Sequence, residues 1–206
     1  MTAVHAVMSS PIGLLTLVAD GGALTAVYME NHKRGPAADS LGAAVLLDAT
    51  ASASATSSAS ASASASASDT ATPDALDTAT DARDAATGIL LRTRVQLGEY
   101  FAGERREFDL PLAPVGNPFR QRVWSLLREI PYGQTRSYGD LARQLGDRNL
   151  AQAVGAGNAR NPVSIIVPCH RVVGAAGQLT GYAGGLDRKH FLLGLEDPRR
   201  VQDALF

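Results

Sequence analysis

Three short apolar stretches open the chain, at residues 4–8, 13–18 and 23–29, each of strand length. Ser9-Ser10-Pro11 separates the first two, and Asp20-Gly21-Gly22 separates the next two. The second spacer supplies the residues a tight turn favours, so the last two stretches read as a β-hairpin. Residues 89–101 change period: Leu90, Leu97 and Phe101 fall on one helical stripe, Gly103 follows as a stop, and a strand is predicted at 108–112. Next, Asn117 and Pro118 offer an N-cap and a proline at the first helical position. Phe119, Val123, Leu127 and Ile130 then recur about every four residues until Pro131-Tyr132-Gly133. Ser137 with Asp140 resembles a capping box opening a short helix through Tyr138, Leu141, Ala142 and Leu145, with Gly146 as its stop. A third helix, 150–159, is built from small residues. Asn161-Pro162 breaks it, the β-branched run 163–167 suits a buried strand, and 187–195 is amphipathic. Two short helices joined by a tight turn suggest helix-turn-helix, with generic helical packing the competing reading.

One region belongs to neither pattern. Residues 51–68 hold only Ala, Ser and Thr, and from about 35 to 87 the composition buries too little apolar surface to offset chain entropy. A disordered insert is predicted at 35–87, with an Ala-driven helix as the alternative. The insert also hides the charge distribution. The whole chain of 206 residues has a formal charge of −1, but residues 39–84 carry seven Asp and one Arg, a net of −6, which leaves +5 elsewhere. Residues 116–206 alone hold 12 Lys and Arg against 7 Asp and Glu. A positive face on the C-terminal part follows as an expectation, against the plainer alternative of an ordinary solvated surface.

A single Cys excludes an internal disulfide framework and offers no zinc-binding set, so no metal and no cofactor are expected. No stretch of 18 apolar residues occurs and no signal peptide is evident, which predicts a soluble protein of the reduced cytoplasm. Cys169 lies in Pro168-Cys169-His170-Arg171 at the end of the expected strand. The neighbouring positive charges predict a thiol pKa lowered from about 8.5 toward neutrality. A nucleophilic thiol needs a base, and the base needs a carboxylate to orient it. Glu196, closing the last amphipathic segment, is the candidate.

The stretch NPVSIIVPCHRVVGAAGQLTGYAGGLDRKHFLLGLE, preceded by PFRQRVWSLLREIPYGQTRSYGDLA, closely resembles the O6-alkylguanine-DNA alkyltransferases, also called methylated-DNA–protein-cysteine S-methyltransferases. The resemblance runs over 117–196 without a gap and extends to SSPIGLLTLVADGGALTAVYMENHK and LGEYFAGERREFDLPL, leaving the Ala/Ser-rich insert outside. It implies an α+β fold: a small ribonuclease-H-like sheet domain over 1–115, carrying the insert, and a C-terminal winged-helix/helix-turn-helix domain over 116–206. It implies a monomer acting on double-stranded DNA that contains alkylated guanine. Cys169 matches the alkyl acceptor, which works once per molecule. His170 matches the base acting through a water, and Glu196 its orienting carboxylate. Tyr138 matches the donor to guanine N3, and Asn161 the tie between the helix-turn-helix and the active-site strand. The carbonyls of Cys169 and Val172 match acceptors for the exocyclic amine. The Tyr182-Ala183 backbone, with Gly184 and Gly185 allowing close approach, matches the O6 site. Arg171 falls among the DNA-contacting positions. The helix 150–159 matches the minor-groove helix, where Ala151 and Gly155 let it sit deep.

One departure concerns position 152. Gln152 stands where many members carry an arginine that fills the space left by the flipped base, so flipping is expected with weaker DNA holding. Two other readings compete: a lesion-recognition or regulatory DNA-binding module, which the intact Cys169 argues against, and a Cys-His hydrolase, for which no oxyanion hole is evident.

Overall fold

The computed structural model describes residues 3–32, 35, 41–47 and 73–199. The opening apolar stretches form β1 (Val4–Ser10), β2 (Gly13–Asp20) and β3 (Ala23–Met29), antiparallel in sequence order, with Gly21 at φ +54 in the second turn. A two-residue strand, β4 (Ala43–Ala44), pairs parallel to β1 and completes the order β3-β2-β1-β4. The sheet is therefore mixed.

Helix α1 (Pro73–Phe101) packs across this sheet. Ala86, Ile89, Leu90, Thr93, Gln96, Leu97 and Tyr100 are buried along one face at helical spacing. The fully buried aromatic at its C-terminal end is Tyr100, whereas the expected Phe101 is half-buried. The disordered reading of 35–87 is corrected at both ends. Residues 41–47 supply the edge strand and the buried Leu47, and 73–87 are helical. Ala is the strongest helix former, so a helix anchored by its apolar face at 86–100 continues through the Ala-rich residues before it. The remainder of the insert, with the run 51–68, lies outside the described residues.

The expected strand at 108–112 is an extended segment attached to the edge of β3. Leu24 N–H donates to Pro111 O (2.8 Å), and Ala113 N–H donates to Leu24 O (2.9 Å). Further along the same edge, Val27 N–H donates to Pro162 O (2.9 Å) and Ser164 N–H to Val27 O (3.2 Å). The segment leading to Cys169 is thus seated on the N-terminal sheet.

Helix α2 (Pro118–Arg128) begins as expected, with the Asn117 side chain accepting from Arg120 N–H at 2.9 Å. Val123, Leu127 and Ile130 are buried, and so is Trp124. After the short β5 (Arg136–Ser137) comes α3 (Tyr138–Gln144), whose Ser137 and Asp140 form the full capping box. A 3-10 turn (Arg148–Leu150) leads into α4 (Ala151–Asn158). Small residues let α4 press on α2: Trp124 Nε1–H donates to Gly157 O (3.1 Å), and a Cβ at Gly157 would stand 3.3 Å from Val123. β6 (Val172–Val173) pairs parallel with β5, and α5 (Leu186–Glu196) closes the described chain. Buried apolar residues of both halves, from Val4 to Leu192, form one cluster. No helix among the described residues is long and apolar enough to cross a membrane.

Candidate functional site

Where a strand was expected at 163–167, the chain turns. Ile165 holds φ +74, a left-handed conformation that a β-branched residue adopts only under constraint from its surroundings. The constraint is visible. β3 grips residues 162–164 from one side, and from within, the Asn161 amide donates to Val167 O (2.7 Å) and accepts from Val163 N–H (3.1 Å). Local β propensity is overridden, and the turn delivers Cys169 into a single 3-10 turn (Cys169–Arg171). Asn158, at the end of α4, donates to Cys169 O at 3.3 Å. Asn161 therefore shapes the approach to the cysteine, and Asn158 makes the direct link from α4.

Cys169 is buried, 4% exposed. Burial pushes its thiol pKa up, against the opposing pull of the Asn161 amide and the Lys189 ammonium. The expectation of a lowered pKa is overturned because neither cation adjoining it in sequence acts on the sulfur as a free charge. Arg171 turns to Glu196, and burial keeps His170 below its ordinary pKa of 6.5, hence neutral at pH 7.

Glu196 is the hub. Its Oε1 accepts from Tyr100 OH (2.8 Å), from His170 Nε2 (2.8 Å) and from Arg171 (2.9 Å). Its Oε2 accepts from Arg171 Nε (2.8 Å) and from Gly133 N–H (3.2 Å). Burial alone would raise the carboxyl, but the hydrogen bonds and charges of His170 and Arg171 outweigh it and hold the pKa at about 2. An ionised carboxylate only accepts, so His170 must carry its proton on Nε2 and present the lone pair at Nδ1, which has no protein partner. The imidazole is in the tautomer a base requires.

The other expected positions divide into those around the thiol and those on the outer surface. Arg171 is 6% exposed, bonds to Glu196 and to Ile130 O (2.6 Å), and lies over the Tyr132 ring; its charge faces the carboxylate rather than an open surface. Tyr182 is buried with its hydroxyl toward the thiol, and burial pushes its pKa well up. Gly184 is buried beside it, and Ala183 is half-buried. The Val172 carbonyl accepts from Lys189 Nζ (2.6 Å), and that of Cys169 accepts from Asn158 and from Val172 N–H. Tyr138 is half-buried at the start of α3, and a Cβ at Gly155 would stand 3.6 Å from its ring. Gln152 is exposed on α4, with Ala151 half-buried beside it. No cluster of three metal-ligating side chains occurs among the described residues.

Sequence reading passed over Tyr100 and Lys189. Lys189 is fully buried, donates to Val172 O and to Thr180 O (2.9 Å), and burial lowers its pKa to about 8. A signal for it existed: Lys189, Leu192, Leu193 and Glu196 share one face of α5 at spacings of three and four. For Tyr100 only a buried helical position was available, because its partner lies 96 residues away.

Residues 118–198 match the family described as 6-O-methylguanine DNA methyltransferase, DNA binding domain. The chain is 60% identical over 101 residues to a methylated-DNA–protein-cysteine methyltransferase of Mycolicibacterium paratuberculosis, a match covering 49% of this chain and 61% of that one. It therefore spans less than two thirds of that relative's length. Its fold is similar to the O6-methylguanine methyltransferase of Mycobacterium tuberculosis, with 38% identity, TM-score 0.68, and 96% and 94% of the two chains covered. A second crystal structure, of Mycobacterium tuberculosis OGT in complex with DNA, matches with TM-score 0.69 at 38% identity over 95% and 94% of the chains.

Proposed function

Since this chain belongs to the O6-methylguanine methyltransferase family, we propose that it repairs DNA by direct reversal, taking the alkyl group from O6 of a flipped-out guanine onto Cys169. The observation that carries the reading is the fixed tautomer of His170. Glu196 holds Nε2–H, so Nδ1 keeps its lone pair on the residue next in sequence to Cys169, whose buried thiol is protonated at rest.

In the reaction the thiol proton passes to Nδ1 through a water molecule. The sulfur attacks the alkyl carbon in line, the S–C bond forms, and the C–O6 bond breaks. The electron pair leaves with the guanine, whose N3 accepts a hydrogen bond from the Tyr138 hydroxyl as negative charge develops there. Lys189 places a positive charge by the sulfur and favours the thiolate while the proton is away. The imidazolium formed on His170 is balanced by Glu196. The product is a thioether that water does not cleave, so each molecule acts once.

The same reading assigns α3 and α4 to a helix-turn-helix within a C-terminal winged-helix domain over 116–206, with α4 entering the minor groove. It assigns β1–β4 and α1 to a ribonuclease-H-like domain over 1–115. Gln152 fills the gap left by the flipped base, the Tyr182-Ala183 backbone holds O6, and the protein acts as a monomer in the cytoplasm.

Intact mass after incubation with an O6-methylguanine duplex tests the proposal. One methylene unit is gained per protein molecule, and Cys169→Ser abolishes the gain. Binding without any gain would leave a lesion-recognition module instead, and several turnovers per molecule would exclude the stoichiometric mechanism.

A further inference from the structure

The wall that faces the thiol is held from the opposite end of the chain. Residues 182–185 form a turn closed by Gly185 N–H to Tyr182 O (3.0 Å), with Gly185 at φ +93. Arg188, in the first turn of α5, reaches three backbone carbonyls. Its Nε donates to Ile12 O (2.8 Å), between β1 and β2, and its NH1 group donates to Glu30 O (2.7 Å), just past β3, and to Gly184 O (3.1 Å). On the same turn, the Met29 sulfur packs so closely against Gly184 that a Cβ there would run into it, and Tyr182 Cε1 would lie 3.1 Å from that Cβ. The turn is thus clamped between a guanidinium and a thioether that both belong to, or bond to, the edge of the N-terminal sheet.

We propose that Arg188 and Met29 are specificity-determining positioning residues: by clamping the turn at 182–185 against the sheet, they set the upper size of the alkyl group that Cys169 accepts. The inference rests on the reading above, in which O6 of guanine lies against the 182–183 backbone and the alkyl group therefore lies between that wall and the sulfur. Retreat of the wall would require Gly184 to move outward. Displacement away from Arg188 breaks a charge-assisted hydrogen bond, and displacement toward Met29 meets its sulfur, so the turn is held from two sides. A methyl group needs no such motion, whereas a benzyl group does. Neither residue touches the guanine in this arrangement, so loosening them should alter selectivity between alkyl groups rather than remove the chemistry.

Single-turnover rates with duplexes carrying O6-methylguanine or O6-benzylguanine test this, for the unsubstituted protein, Arg188→Met, Arg188→Lys and Met29→Ala. The benzyl-to-methyl rate ratio is expected to rise at least about fivefold in Arg188→Met and in Met29→Ala, a modest share of what steric discrimination in a fitted pocket achieves. Arg188→Lys, which keeps a donor and the charge, should fall between. Duplex affinity and thermal midpoint, measured in parallel, separate selectivity from unfolding. Should Arg188→Met fail to fold, Met29→Ala tests the same wall from its other side. Equal loss of both rates, or an unchanged ratio in both variants, overturns the clamp while leaving alkyl transfer standing. Failure of the unsubstituted protein to transfer either group would remove the underlying reading, and the clamp with it.

Discussion

Glu196 receives hydrogen bonds from four residues, two of them adjacent in sequence and two remote. Its role is to fix the His170 tautomer and to neutralise Arg171, and the two functions cannot be separated by substitution. Glu196→Gln supplies an amide where donors converge and leaves the buried Arg171 without its counter-charge, a defect that typically costs about 3–5 kcal/mol. The expected outcome is a lower urea midpoint together with loss of most alkyl transfer. For the unsubstituted protein, the depressed pKa of His170 has a consequence for rate. An ordinary imidazole would lose its basicity near pH 6.5, but burial here delays protonation, so the acid limb of the transfer rate should lie below pH 6.5. An acid limb centred at or above that value would contradict the buried, neutral base.

Among the elements, the insert divides into pieces with different roles. β4 covers the outer edge of β1, and Leu47 is buried beyond it, which contributes roughly 1.5–3 kcal/mol. Ala86 lies in the α1 face against the sheet. Residues 48–72, by contrast, consist of Ala, Ser and Thr with two Asp and offer no large apolar side chain. Replacing 48–72 with a short Gly/Ser linker should leave the thermal midpoint and the transfer rate close to those of the full chain. Removing 43–80 should lower the midpoint measurably, because it strips the edge strand and the start of α1. Equal behaviour of the two deletions in a melting experiment would show that β4 and Leu47 contribute nothing. Elsewhere the elements obey local rules. The Asn117 cap, the Ser137–Asp140 box and the glycines that follow α1 and α3, Gly103 and Gly146, act over four residues or fewer, which is why they were legible in advance.

Over the whole molecule, the two halves meet at the site itself. β3 grips residues 162–164, Tyr100 of α1 reaches Glu196, and Arg188 of α5 returns to the first turn of the sheet and to the end of β3. Stability should accordingly follow the titration of the buried relay. Both His170 and Glu196 have pKa values lowered on folding, so each contributes stability that is complete above its unfolded pKa and lost as pH falls. The decline therefore begins below about 6.5, where the unfolded imidazole takes a proton that the buried one resists. It steepens between 4.5 and about 2, where Glu196 supplies about 3 kcal/mol. Urea midpoints recorded from pH 7 to pH 3 should show this two-stage fall, and Glu196→Gln should lack the second stage.

The first three strands, most helix and cap positions, the split of charge between insert and remainder, and the pairing of His170 with Glu196 were readable along the chain, since each depends on residue types at short or patterned spacings. Tertiary structure alone decided the rest. It made a turn of the β-branched run at Ile165, raised rather than lowered the Cys169 pKa, turned Arg171 inward, and brought Tyr100, Lys189 and Arg188 to the site. Each of these depends on desolvation or on a partner far away in sequence. Burial reverses the effect that a neighbouring charge would have in water, and a hydrogen bond across 96 or 176 residues leaves no periodicity to read.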